Sequence, residues 1–66
     1  MKTFEEIIFK INREIIDTKS YIIFLEERIH YLKFTNVVKN TIKLLESDLS
    51  YNKNKLQRLL YIKDNL

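Results

Sequence analysis

The chain has 66 residues, a formal net charge of +3, and no Cys, Gly or Pro. That length makes one domain with a modest core, and the missing Cys excludes disulfides and thiolate metal sites as its staple, which leaves oligomerisation or a well-matched helix pairing. Without Gly there is no Gly-rich phosphate loop, and without Pro nothing breaks a helix by removing an N–H.

The charge is uneven. Residues 1–33 hold six Lys/Arg and six Asp/Glu, whereas 34–66 hold six Lys/Arg and three Asp/Glu. The excess permits an acidic partner without requiring one. Ala is also absent, and the richness in Ile, Lys, Asn, Phe and Tyr fits an AT-rich genome such as that of a low-GC bacterium, its phage or a plasmid. Glu5, Glu6 and Glu14 lie among the apolar residues of the first 16 positions, which is not the pattern of a signal peptide. No stretch approaches the roughly 20 apolar residues of a membrane span. The expected location is therefore cytoplasmic.

The first 33 residues carry the strongest pattern. Met1, Phe4, Ile8, Ile11, Ile15, Thr18, Ile22, Leu25, Ile29 and Leu32 recur at alternating steps of three and four. This is an a/d heptad seam, apolar except at Thr18, and it predicts one amphipathic helix over about 3–33. A helix of this kind is stable only when something covers its stripe.

Beyond Lys33 the pattern loses phase. Phe34-Thr35-Asn36 supplies a short turn over about 34–36, with Thr35 or Asn36 as the expected N-cap of the next helix. That second helix is expected over about 36–64, with Val38, Ile42, Leu45, Leu49, Leu56, Leu59 and Leu66 on its seam and Asn52 and Lys63 at the two polar seam positions. Its weak point is Ser47–Asn54, where Ser, Asp and Asn compete for backbone hydrogen bonds. The common phase of Leu45, Leu49 and Leu56 argues for continuity through it.

Two helices of similar length and a short connection predict an all-α fold: an antiparallel two-helix hairpin of coiled-coil type, one domain over 1–66. A mirror about residue 35 sets Thr18 opposite Asn52, and the usual layering of a against d shifts the register by three or four residues.

A hairpin needs one stripe per helix, yet apolar residues exceed that. Phe9, Ile16, Ile23 and His30 recur every seven residues at heptad position b, with Phe24 and Tyr31 further round and Ile7 and Tyr21 flanking the seam. Leu44, Tyr51, Leu60, Tyr61 and Ile62 lie outside the second seam. Scattered surface hydrophobics are normal, but recurrence in phase marks a contact face. The expected interface residues are Phe9, Ile16, Ile23, Phe24 and Tyr31. The simplest closure is a twofold homodimer forming a four-helix bundle. Burying Phe9, Ile16 and Ile23 from both copies would contribute on the order of 10 kcal/mol before entropic costs.

Chemical motifs are sparse. Glu27-Arg28-Ile29-His30 has the Glu-x-x-His spacing of carboxylate-bridged metal sites in helical bundles, but both residues lie off the seam. An exposed pair of Glu26 or Glu27 with His30 is the simpler reading, so no metal or other cofactor is expected, and a metal-binding helical bundle through Glu27 and His30 is the least favoured alternative. His30 is the sole His and has no sequence partner for general base catalysis, so an enzyme is not expected. Lys39, Lys43, Lys53, Lys55 and Arg58 make the second helix moderately basic, and phosphate contact through them is the less favoured alternative. Glu6–Lys10 and Arg13–Asp17 are spaced as ordinary ion pairs within a helix.

In size and shape the chain is similar to the Spo-zero-E-like phosphatases, helical-hairpin regulators of spore-forming bacteria with a Ser-Gln-x-Leu-Asp signature on the second helix. The nearest stretch, Glu46-Ser47-Asp48-Leu49-Ser50, lacks the Gln and the final Asp, so no activity carries over. The reading that remains is a small protein-binding module that fills a partner's helix or groove, in the manner of a phage- or plasmid-borne inhibitor or a small bacterial regulator.

Overall fold

The computed structural model describes residues 3–35 and 39–66. They form two helices, α1 (Phe4–Phe34) and α2 (Lys39–Asp64), paired as an all-α hairpin. The molecule measures 50 × 18 × 14 Å, and its long axis is set by the 31 residues of α1 at 1.5 Å each. Among the described residues, no helix is long and apolar enough to cross a membrane.

α1 starts where its local chemistry dictates. The Thr3 hydroxyl oxygen accepts the Glu6 backbone N–H at 3.2 Å, and Glu5 and Glu6 place negative charge on the helix's positive end. At the other end Thr35 is the C-cap of the first helix. Its backbone N–H and its hydroxyl both donate to the Tyr31 carbonyl at 3.1 Å, and the hydroxyl also reaches the Leu32 carbonyl at 3.3 Å. A Thr hydroxyl both donates and accepts, so it serves either end of a helix. Asn36, the alternative cap, and the expected helix start at about 36 lie outside the described residues, as do the seam positions Met1 and Val38.

α2 runs without a break through Ser47–Asn54, so packing overrides the poor propensity of that stretch. Its end is closed by Asn65, whose side-chain amide donates to the Tyr61 carbonyl at 2.7 Å.

The two seams meet as their spacing requires. Among the described residues, Ile15, Ile22, Leu25, Ile29, Leu32 and Leu59 are the buried apolar ones, and Leu25 is the most enclosed, at 1% exposure. Thr18 and Asn52 are buried among them. Among the described residues, two polar contacts cross between the helices: Tyr21 to Asp48 on one flank, Lys33 to Glu46 on the other. Their midpoints along the chain, 34.5 and 39.5, average 37, so the hairpin is centred two positions later than 35. The a-against-d layering therefore prevails. Ile22 falls level with Asn52, Leu25 with Leu49 and Ile29 with Leu45, while Thr18 lies level with Leu56 rather than Asn52. This register leaves the first turns of α1 beyond the end of α2. Phe4, a seam residue by spacing, is accordingly 57% exposed, and Ile8 and Ile11 are only half-buried.

Candidate functional site

The cross-helix contacts define two flanks of the hairpin. Lys33 and Glu46 are both at heptad position e, and Tyr21 and Asp48 are both at g. Positions b lie beyond e, and positions c beyond g. All five expected interface residues are exposed, but they divide between the flanks. Phe9, Ile16 and Ile23 form an aliphatic and aromatic ridge on the e side, at 68%, 62% and 57% exposure. Phe24 and Tyr31 lie on the g side. The two groups line separate shallow depressions, each of about 350 Å³: one among Phe9, Asn12, Arg13, Ile16 and Asp17, the other among Phe24, Glu27, Arg28 and Tyr31.

The g side is the more organised. The buried Asn52 amide donates to the Asp48 carbonyl at 2.8 Å and to one Asp48 carboxylate oxygen at 3.0 Å. The other carboxylate oxygen accepts the Tyr21 hydroxyl at 2.7 Å. Tyr21 in turn stacks on Phe24, with ring centroids 6.1 Å apart and planes within 16°. A polar interruption in the α2 seam thus holds an aromatic pair on α1. The hydrogen bond to Asp48, aided by partial desolvation and the carboxylate's charge, raises the Tyr21 phenol pKa above its ordinary 10.0. On the hairpin register Leu44 falls near the level of Tyr31, and Tyr51 near that of Phe24. Both are exposed at position c, so α2 extends the same apolar flank.

This assembly of Tyr21, Asp48, Leu44 and Tyr51 with Phe24 and Tyr31 is not among the expected contact residues. Leu44 and Tyr51 stand out in the sequence as surplus apolar residues. What joins them to α1 is the register, which the sequence leaves open by four positions.

The basic residues of α2 are all exposed but do not form one stripe. Lys39, Lys43 and Lys53 occupy e and b positions on one flank, and Lys55 and Arg58 occupy g and c positions on the other. Glu27 and His30 are both exposed on α1, and among the described residues no three His, Cys, Asp or Glu side chains come together to hold a metal ion. The ion pairs expected within α1, Glu6–Lys10 and Arg13–Asp17, do not form; among the described residues the salt bridge is Lys33–Glu46, at 3.2 Å. Exposed pairs of this kind are worth so little that solvation and side-chain entropy decide against them.

No known protein-family model, curated protein or solved structure matches this chain. The class it defines by its own geometry is a helical hairpin with one covered seam and two exposed apolar flanks.

Proposed function

We propose that the chain is a cytoplasmic protein–protein interaction module, acting by binding rather than catalysis in the manner of a small bacterial regulator or a phage- or plasmid-borne inhibitor. The observation that carries this reading is the exposed aromatic flank, with Tyr21 and Phe24 pre-positioned by the Asp48–Asn52 hydrogen bonds. Aromatic side chains fixed before binding lose little conformational entropy on contact, which is the property of residues that dominate protein interfaces. Leu44 and Tyr51 widen the flank across both helices, as docking onto a partner's helix or groove requires. The division of Lys39, Lys43, Lys53, Lys55 and Arg58 between two flanks supports nucleic-acid binding less, because a phosphate backbone is followed by a continuous basic face.

A photo-activated cross-linking residue in place of Tyr31, in the chain's native cell, tests the proposal. One discrete adduct with a different protein is expected. It should disappear with Phe24→Asp and persist with Lys55→Ala, circular dichroism showing both variants helical. No adduct, or one indifferent to Phe24→Asp, overturns the reading.

A further inference from the structure

The e-side ridge is a separate feature from the aromatic flank. The chain exposes 5688 Å², whereas a folded monomer of 8.1 kDa is expected to expose roughly 4,500 Å². Its radius of gyration is 15.3 Å, against about 11 Å for a compact domain of this length. The excess of about 1,200 Å² exceeds the ~800 Å² that each partner contributes to a standard interface. The hairpin thus has surface to spare for one such contact.

Charge selects the occupant and its direction. Arg13 and Glu27, both at f, flank the ridge on either side of Ser20. If two ridges ran parallel and in register, each charge would meet its own kind. If they run antiparallel about a point between Ile16 and Ile23, Ile16 falls level with Ile23 of the second copy and Phe9 with His30. Arg13 then lies beside Glu27 of the second copy, and the symmetry makes this pair twice. On the e flank Glu5 comes level with Lys33 of the second copy, and only Lys19 meets a like charge, near the axis. The depression between Phe9 and Ile16, lined by Asn12, Arg13 and Asp17, lies level with Glu26 and Glu27 of the second copy. Sliding the ridges by one heptad toward their N-termini would set Glu6 beside Glu27 and Glu5 beside Glu26.

We infer that the Phe9–Ile16–Ile23 ridge of α1 is covered by the same ridge of a second copy, antiparallel, about a twofold axis between Ile16 and Ile23. The contact runs along α1 alone. A symmetrical four-helix bundle would need a matching stripe on α2, but the b positions on that flank are Lys43, Ser50, Gln57 and Asp64, all exposed. The aromatic flank stays free for a different protein.

The chain's lack of Cys makes the test direct. Under mild oxidation Ser20→Cys is expected to form a disulfide dimer, because Ser20 lies at the axis. Arg13→Cys is expected not to self-link. Its two copies would be separated by about 20 Å along the helices, far beyond disulfide reach. Mixed Arg13→Cys and Glu27→Cys chains should link to each other. In unlabelled protein, Ile23→Asp should weaken the dimer more than about 100-fold by light scattering, because the change enters the interface twice. A monomer at every concentration, or Arg13→Cys self-linking as readily as Ser20→Cys, overturns the inference. A monomer that still gives the Tyr31 adduct would sink the dimer and leave the partner reading standing. A dimer without the adduct would do the opposite.

Discussion

The two flanks of the hairpin solve the same problem differently. Among the described residues, each joins α1 to α2 through one polar contact beside the seam. On the e side the contact is Lys33–Glu46, two solvated side chains, with Lys33 in the last turn of α1. On the g side it is Tyr21–Asp48 near mid-length, supported by the buried Asn52 and continued into the Phe24 ring. The first contact fixes nothing beyond itself. The second links the core to an exposed aromatic surface, so a polar seam residue that costs the core some apolar burial also organises the face proposed to bind. What separates the flanks is the support each contact receives from the seam.

The core beneath both flanks should show the largest effect when disturbed. Leu25→Ala removes the most enclosed apolar side chain and should destabilise the hairpin by about 2–5 kcal/mol in urea unfolding, according to how far the helices close over the gap. Both flanks would be lost together. A cost below about 1 kcal/mol would mean that Leu25 is not central to the seam.

Tyr21→Phe disturbs the g side alone. It keeps the ring that stacks on Phe24 and removes the hydroxyl. The urea midpoint should fall by less than it does for Leu25→Ala, because the hydroxyl is exposed and water replaces part of the lost bond. The pH dependence follows from the raised phenol pKa. The neutral phenol donates the bond, so this stabilisation is fully present below the ordinary tyrosine pKa and is lost as pH rises through the higher folded value. In a tyrosinate absorbance titration the last phenol to ionise should be absent from Tyr21→Phe. If all four tyrosines of the parent titrate together, the Asp48 contact does not persist in solution.

Much of this hairpin is legible in the sequence. Alternating steps of three and four single out Ile15, Ile22, Leu25, Ile29, Leu32 and Leu59 as core, and they place Thr18 and Asn52 there despite their polarity, because burial follows phase more than residue type. The end of α1 is less legible, since the Thr35 hydroxyl suits a C-cap as well as an N-cap. Register is the weaker point. A shift of four residues preserves the seam, so the a/d pattern alone cannot choose between Thr18 and Ile22 as the residue level with Asn52. The levelling of Tyr31 with Leu44 and of Phe24 with Tyr51 depends on that shift. The division of the five expected contact residues is visible without the structure, since Phe9, Ile16 and Ile23 share position b while Phe24 and Tyr31 share c, about 100° away on a helix.

The smallest effect should come from the e side. Lys33→Ala removes an ion pair whose side chains are 61% and 47% exposed, so the pair itself should be worth no more than a few tenths of a kcal/mol and should fade as salt shortens the screening length. Lys33 also lies in the last turn of α1, where a positive charge interacts favourably with the helix's negative end. Lys33→Ala should therefore cost slightly more than Glu46→Ala, and the double variant should show a coupling below about 0.5 kcal/mol that vanishes in high salt. A coupling as large as the Tyr21→Phe effect would put the flanks on equal terms. The link to the buried seam would then not be what distinguishes them.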